Sequence, residues 1–142
     1  MATIIDIADA VAAALNGHTF SQPFAAQRAY LAAFELKELK DLRVAVVPKG
    51  VEMTTAGRGI SQSDVQIDVG VLKKLVSADN AEIDALMGLV QEIAEFVRAT
   101  GRLGGAAWVR SENLPIYSTE HLAEMRQFTS VLTLTFRLLE GT

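Results

Sequence analysis

Two histidines, His18 and His121, are the only candidates in the sequence for the base of a serine-type nucleophile. Such a nucleophile would also need a Gly-x-Ser-x-Gly elbow, and the sequence contains none. The histidines lie in no His-Glu-x-x-His or similar spacing, and the absence of cysteine excludes thiolate chemistry and cysteine-ligated zinc. We therefore expect no catalytic nucleophile, no metal site, and a surface or helix-capping position for each histidine.

Paired carboxylates offer a second kind of chemistry, general acid–base catalysis. Asp64 and Asp68 lie on the same face of a predicted strand, but four residues along a strand separate their Cα atoms by roughly 13 Å. Paired glycosidase carboxyls need about 5–9.5 Å. Glu92 and Glu95 are neighbours on a predicted helix surface. Both pairs are interpreted as ordinary hydrophilic surface, and we expect no enzymatic activity.

Glycine-rich segments offer a third possibility, phosphate or cofactor binding. Gly57-Arg-Gly59 lacks both a third glycine at the dinucleotide-binding offset and a following Gly-Lys-Ser/Thr. Gly101-Arg-Leu-Gly-Gly105 follows a predicted helix instead of a strand. Both segments are therefore interpreted as turns and loops, and no cofactor is expected.

Composition indicates one domain, residues 1–142, large enough to bury about 68% of its unfolded surface. The net charge of −4 argues against general binding to nucleic acid or anionic membranes. The N-terminus lacks the basic region of a signal peptide, and no apolar run approaches the roughly 20 residues of a membrane span. We expect a protein that works without export and without a membrane.

The segment 128–138 gives the strongest strand signal in the chain, because its residues alternate strictly between two sets. Its length requires neighbours on both sides, so we place it at the centre of an antiparallel sheet. The face that we expect to be buried consists of Phe128, Ser130, Leu132, Leu134, Phe136 and Leu138. The face that we expect to be exposed to solvent consists of Thr129, Val131, Thr133, Thr135 and Arg137.

Three helices are predicted from capping residues and apolar periodicity. Thr3 with Asp6 opens the first, which closes at Asn16-Gly17. Asp79 with Glu82 opens the longest, residues 80–100, and Ser118 caps a short helix over 119–125.

The remaining segments predict a sheet of about five or six strands. The predicted strands are 43–47, 51–55, 63–72 and 106–111; residues 48–50 turn the chain, 56–63 form a mobile loop, 102–105 a flexible link and 112–117 an irregular stretch. Residues 18–27 form a loop or a short edge strand, and 28–38 favour strand over helix. The fold class is α+β: a two-layer domain whose mostly antiparallel sheet carries two main helices and one short helix on one face.

Several side chains are candidates for contacts with other protein subunits. Leu89 and Phe96 lie beside the core stripe of the long helix and either broaden the core contact or form a surface seam. The other candidates are Met53, Arg58 and Ile60 on the hairpin tip, Trp108 and Tyr117 around the irregular stretch, and Val131 on the threonine-rich face of the last strand.

The order of elements resembles that of tailed-bacteriophage head–tail joining proteins, and most of all the tail terminator (tail completion) family. The resemblance covers nearly the whole chain and is a pattern of helices and strands, without a catalytic motif. It rests on the N-terminal amphipathic helix and on Phe34-Glu-Leu-Lys37, Leu42-Arg-Val-Ala-Val-Val-Pro48, Asp64-Val-Gln-Ile-Asp-Val-Gly70, Leu89-Val-Gln-Glu-Ile93, Trp108-Val109 and Phe128-Thr-Ser-Val-Leu-Thr-Leu-Thr-Phe136.

The resemblance implies a virion structural protein of the neck, assembled in the host cytoplasm. Its subunits would form a homo-oligomeric ring, hexameric in the simplest case, that caps the tail tube, stops its polymerisation and joins it to the head connector. DNA would pass through the lumen without sequence-specific binding. The segments 53–63 and 102–118 would become ordered on docking.

Three alternatives stay open at this point. One is a head-completion or stopper protein of the same connector. Another is a cytosolic protein-interaction module unrelated to phage. The third, a small enzyme or ligand-binding domain, would require an apolar pocket with converging polar groups.

Overall fold

A six-stranded sheet runs through the structure, a computed structural model that describes residues 3–30, 41–77 and 79–141. Across the sheet the order is β1-β2-β3-β6-β5-β4; β1 is parallel to β2 and every other pair is antiparallel. The α+β, mostly antiparallel fold predicted from the sequence is therefore confirmed. The elements are α1 (Ile4–Asn16), β1 (Ala26–Arg28), β2 (Arg43–Gly57), β3 (Ile60–Lys74), α2 (Asn80–Thr100), β4 (Arg102–Leu103), β5 (Ala106–Glu112), α3 (Thr119–Met125) and β6 (Gln127–Gly141).

The last strand is central, as predicted, because β6 pairs with β3 on one side and with β5 on the other. Its even-numbered apolar side chains enter a single core that also takes side chains from α1 and α2, while Leu122 of α3 packs against that core. The largest fully buried side chains of β6 are Phe128, Leu134 and Phe136.

The other face of β6 is less wet than the alternation predicts. Thr129 and Thr135 keep only 8% and 3% of their surface exposed, so the expectation of a solvated face is wrong at these two positions. Thr129 is covered because its hydroxyl lies 2.9 Å from Nδ1 of His121 in α3. Thr135 is flanked in register by the long side chains of Gln66 and Arg110.

Capping residues begin all three helices where the sequence predicts. Thr3 and Asp6 exchange backbone-to-side-chain hydrogen bonds of 2.9 and 3.2 Å, which form a capping box at α1. The bond from the Thr3 backbone is the main cause that lowers the pKa of the Asp6 carboxyl. Asp79 accepts from the Glu82 amide at 2.9 Å, and Ser118 accepts from the His121 amide at 3.3 Å. Local capping therefore positions both main helices against the sheet.

The hairpin of β2 and β3 differs from its prediction in two places. Residues 48–50 do not turn the chain; β2 continues through them with a bulge between Pro48 and Gly50. Residues 56–63 do not form a long loop, because β2 reaches Gly57 and β3 resumes at Ile60. Gly59, with φ of 74°, supplies the left-handed conformation of the two-residue turn. The predicted strand ended too early at Pro48, because the bulge between Pro48 and Gly50 accommodates proline within β2.

A second tight hairpin replaces the flexible link predicted at 102–105. Arg102 and Leu103 form β4 and pair with Ala107 and Ala106 of β5. Gly104 and Gly105 make the turn with φ of 60° and 82°. A Cβ on Gly104 would lie 3.1 Å from Cα of Ile7, so this glycine lets α1 approach the turn closely.

The segment 18–30 ends in the short edge strand that the sequence allowed. β1 pairs with β2 from Val44 to Val46, and the amide of Ala29 donates to the Val46 carbonyl at 2.9 Å. Most of the predicted strand 28–38 lies outside the described residues. Within the part of the chain that is described, no helix is long and apolar enough to cross a membrane.

Candidate interaction surfaces

The carboxylates considered for acid–base chemistry have structural partners instead. Asp64 receives two hydrogen bonds from the Arg137 guanidinium across the β3–β6 pair, at 2.8 and 3.2 Å. These bonds are the main cause that lowers the pKa of Asp64 and raises that of Arg137. Asp68 accepts from the Thr133 hydroxyl at 2.7 Å. Both carboxylates therefore serve in cross-strand contacts that hold the sheet.

Residues 3–30, 41–77 and 79–141 contain no group of three or more histidine, aspartate or glutamate side chains placed to hold a metal ion. The two histidines make different structural contacts. His18 stacks on the ring of Phe96 with centroids 4.4 Å apart, and His121 contacts Thr129 beneath the short helix.

The far end of the central sheet projects beyond the core. The fully buried core side chains end at the paired residues Val65 and Phe136, and Leu138 packs partly buried against them. Beyond them, residues 51–63 of β2 and β3 continue with residues 138–141 of β6 as three paired strands, here named the arm. Four large apolar side chains of the arm are exposed: Val51 by 44%, Met53 by 76%, Ile60 by 45% and Leu139 by 62%.

Both faces of the arm carry these exposed apolar side chains. Val51 and Met53 share the register of Val65 and so lie on the face that carries the core. Ile60 and Leu139 share the register of Asp64 and Arg137 and lie on the opposite face. Each face of the arm therefore has large apolar side chains that the described part of the chain leaves exposed.

The outer edge of the arm also has unpaired backbone groups. β1 stops at Val46, where the Val46 carbonyl points outward to receive Ala29. The alternation of the antiparallel ladder then directs the N–H and C=O groups of Val51, Met53 and Thr55 outward as well. No described strand pairs with them, and residues 51–57 contain no lysine or proline to protect the edge. The arm therefore combines a strand edge that no described strand occupies with exposed apolar side chains.

A cleft of about 540 Å³ lies between α2 and the irregular stretch before α3. Leu114 beside it is 84% exposed and Ile116 on its wall is 47% exposed. The lining residues come from α2, the irregular stretch and β6: Asp84, Met87, Gly88, Val90, Gln91, Ala94, Asn113, Ile116 and Leu132.

Hydrogen bonds to β6 fix the irregular stretch that forms one wall of the cleft. The Asn113 amide donates to the Val131 carbonyl at 2.8 Å, and the Ser130 hydroxyl donates to the Ile116 carbonyl. The amide of Ser118 donates to the Thr129 carbonyl at 2.9 Å. This wall therefore runs along the edge of β6 beyond the end of β5. The polar groups of the wall face β6, so its apolar side chains Leu114 and Ile116 face outward.

No protein-family model matches the chain, and no curated protein matches it significantly.

Among the predicted contact residues, Met53, Arg58 and Ile60 all lie exposed on the arm. Leu89 is fully buried in the core, so of the two alternatives the broader core contact holds and the surface seam is excluded at this position. Phe96 is half-buried, packed against the core and covered by His18, and therefore adds nothing to an exposed seam.

The other three predicted contact residues are half-buried. Trp108 and Tyr117 pack against the core, and the Trp108 indole donates to the Ser111 hydroxyl at 2.9 Å. Val131 lies on the second face of β6, opposite Gly70 of β3. Their interface role stays a prediction.

Sequence reasoning missed part of the exposed apolar surface. Leu139 follows the predicted end of β6 and places an apolar residue on the face of Thr135 and Arg137, which was a usable signal. Leu114 and Ile116 flank a proline in a stretch predicted to be irregular, and large apolar residues there also pointed to a surface. The role of Asp84 in lining the cleft had no signal, since it depends on the contact between α2 and a distant segment.

Proposed function

We propose that this chain is a virion structural protein of the bacteriophage neck, a tail terminator. Its subunits form a ring that caps the tail tube, stops tube polymerisation and joins the tube to the head connector. The observation that carries the proposal is the arm, which has exposed apolar side chains on both faces and an edge that no described strand occupies.

A surface of this kind supports a function in assembly. Contiguous exposed apolar side chains and unprotected strand edges are characteristic of surfaces that another protein covers. Contacts between unlike surfaces of identical subunits close into a ring when the rotation per subunit divides the circle. A ring seated on the end of the tube stops growth because it occupies the surface to which the next tube subunit would bind.

The charge of the chain supports a conduit for DNA. Proteins bind DNA phosphates through lysine and arginine side chains, and this binding releases the counterions condensed on the DNA. The chain instead carries a net charge of −4. A lumen built from such subunits would let DNA pass without holding its backbone, consistent with the resemblance to head–tail joining proteins.

Tube polymerisation in the presence of the purified protein tests the proposal. Tail-tube subunits from the same phage are polymerised with increasing amounts of this protein, and tube lengths and ends are measured by negative-stain microscopy. We expect shorter tubes with a ring density at one end. Tubes of unchanged length with bare ends would overturn the proposal, and binding to isolated head connectors instead would favour a head-completion protein.

A matched pair of variants tests the contribution of the arm. Met53→Asp places a charge on the arm, and Val76→Asp places the same charge on a side chain that is 82% exposed elsewhere. We expect Met53→Asp to lose capping and Val76→Asp to keep it. Equal capping by the two variants would refute a role for the arm.

A further inference from the structure

A polar cavity of about 350 Å³ lies on the face of the sheet opposite the core, where β2, β3, β6 and β5 run side by side. Four residues in register cross the sheet there, in the order Gly50, Gln66, Thr135 and Arg110. A Cβ placed on Gly50 would meet no other atom within 4 Å. The absent side chain of Gly50 and the short one of Thr135 therefore leave a hollow between longer side chains.

The floor of this cavity contains a hydroxyl without a hydrogen-bond partner. Thr135 lines the cavity and has only 3% of its surface exposed, yet its hydroxyl bonds to no described residue. On the same face of β6, by contrast, the Thr133 hydroxyl donates to Asp68 at 2.7 Å. Buried hydroxyls normally have a partner. None of the described residues has a fully enclosed polar side-chain atom without a partner, so the Thr135 hydroxyl is open to a molecule in the cavity.

The Glu52 carboxylate at the β2 end of the cavity forms no ion pair with a described residue. The neighbouring carboxylates are already engaged. Asp64 receives two hydrogen bonds from Arg137, and Asp68 lies 3.8 Å from the Lys49 ammonium in the next row of the sheet. Glu52 is therefore the group that a positive charge in the cavity would contact.

Arg110, at the β5 end of the cavity, keeps its terminal nitrogens available. Only its Nε contacts Glu112, at 3.2 Å, and both side chains are more than half exposed, so this pair holds the guanidinium weakly. The four N–H groups on the terminal nitrogens can donate two parallel bonds to a carboxylate. Two other charged residues nearby do not border this cavity, since Glu140 lies on the core face with Phe136 and Arg102 borders a different cavity.

The lining disfavours three other classes of ligand. An apolar ligand would meet polar groups, since among the described residues no aromatic one lines the cavity and the Val51 side chain lies on the other face. A phosphate would meet the carboxylates of Glu52 and Asp64, whereas a metal cation would meet the Arg110 guanidinium. A polar ligand with one charge of each sign fits the opposite charges at the two ends.

We propose that this cavity binds a small zwitterion of dipeptide size. Its ammonium pairs with Glu52, its carboxylate binds the terminal nitrogens of Arg110, and the amide between them bonds with the Thr135 hydroxyl. Three strand spacings and a two-residue step place the Cα atoms of Glu52 and Arg110 roughly 16 Å apart. An extended dipeptide spans about 7 Å, and the two long side chains cover the remainder. The cavity volume lies within the roughly 300–1,000 Å³ of small-molecule sites.

Titration with glycylglycine, followed by amide chemical shifts in two-dimensional NMR spectra, tests the site residue by residue. We expect saturable shifts centred on the amides of Val51, Gln66, Thr135 and Arg110, with a Kd of about 1 mM or below. The absence of saturable shifts at these amides up to about 20 mM glycylglycine would overturn the proposal.

Two blocked forms of the probe test its two ends separately. N-acetylglycylglycine lacks the ammonium and glycylglycine amide lacks the carboxylate, so each is expected to bind about tenfold more weakly. Glu52→Gln should weaken glycylglycine about tenfold and leave the acetylated form unaffected, and Arg110→Gln should do the same for the amide form. A variant that weakens its blocked ligand as much as free glycylglycine would refute that contact.

Glu120→Gln is the control for Glu52→Gln, because it removes the same charge from an exposed position on α3. We expect Glu120→Gln to bind glycylglycine like the parent protein. Equal weakening by Glu52→Gln and Glu120→Gln would assign the effect to net charge and refute a contact at Glu52.

Two uncharged substitutions test the floor of the cavity. Thr135→Val keeps the shape of the side chain and is expected to weaken binding at least about threefold through the lost hydroxyl. Gly50→Thr fills the hollow and should abolish the shifts, whereas Gly57→Thr, at a β2 glycine with equally open surroundings outside the cavity, should keep them. Equal binding by the two glycine variants would overturn this placement of the ligand.

This site is independent of the proposed function. Binding of glycylglycine by a protein that leaves tubes uncapped would retain the site and remove the terminator role. Capped tubes together with no saturable shifts would do the reverse.

Discussion

Two neighbouring residues of β6 are expected to differ sharply in their contribution to stability. Phe136 is fully buried in the core, opposite Val65, whereas Thr135 lies on the other face with 3% of its surface exposed. Replacing a core phenylalanine by alanine removes its transfer free energy and leaves a cavity, a loss of about 3–5 kcal/mol. Thr135→Ala removes one methyl group and a hydroxyl, a loss of about 1 kcal/mol.

Thr135→Val serves as the matched control for the threonine. The valine keeps the volume and β-branching of threonine, and no described residue forms a hydrogen bond with the Thr135 hydroxyl that the substitution would break. We therefore expect the free energy of unfolding of Thr135→Val to stay within about 0.5 kcal/mol of the parent protein. A loss in Thr135→Ala but not in Thr135→Val would assign the effect to packing.

Urea unfolding followed by fluorescence of the single tryptophan, Trp108, measures all three variants. With a slope of about 2 kcal/mol per molar urea, the midpoint should fall by about 2 M for Phe136→Ala and about 0.5 M for Thr135→Ala. Equal losses for these two variants would refute the assignment of β6 faces. A larger loss for Thr135→Ala than for Phe136→Ala would place the core on the opposite face of the sheet.

Two further substitutions test single contacts of the fold. Asp64→Asn should lower stability at neutral pH by up to about 1 kcal/mol, since the pair with Arg137 is partly exposed. Folding lowers the pKa of Asp64, so the stability difference between the parent protein and Asp64→Asn should be complete above pH 3.8, the ordinary pKa. It should disappear as the pH falls through the lower pKa of the folded state. A stability difference that stays constant in acid unfolding curves would contradict this. Gly104→Ala should cost about 1–3 kcal/mol in urea unfolding and more than Gly105→Ala, since both have positive φ but only Gly104 approaches Ile7; equal losses would argue against the close approach.

The sequence predicted those elements whose signals are local. The capping residues Thr3, Asp79 and Ser118 each lie at the start of the helix that they predicted. A cap can be predicted from sequence because it involves only about four consecutive residues. The central position of β6 followed from its length and alternation alone.

Predictions failed where the outcome depended on distant partners. Pro48 was interpreted as a turn, yet a bulge keeps it within β2 because β3 runs alongside. The sequence allows Leu89 either in the core or on the surface, and only the packing of α2 on the sheet decides for the core. Thr129 was expected to be wet, and α3, which follows an irregular stretch, covers it through His121.

The arm edge, which no described strand occupies, links the fold to the proposed assembly. Near its start, β2 pairs with β1 from Val44 to Val46. Just beyond this pairing lie Pro48 and Lys49, which both discourage the addition of another strand. Beyond the bulge, Glu52 is the one charged residue before Arg58, and the backbone groups of Val51, Met53 and Thr55 point outward with no described strand paired to them. An edge of this kind is a hazard for a protein that works alone, because strands of other chains can add to it. Assembly that covers the edge would remove that hazard, and this is the physical reason why we propose a function in contacts between subunits.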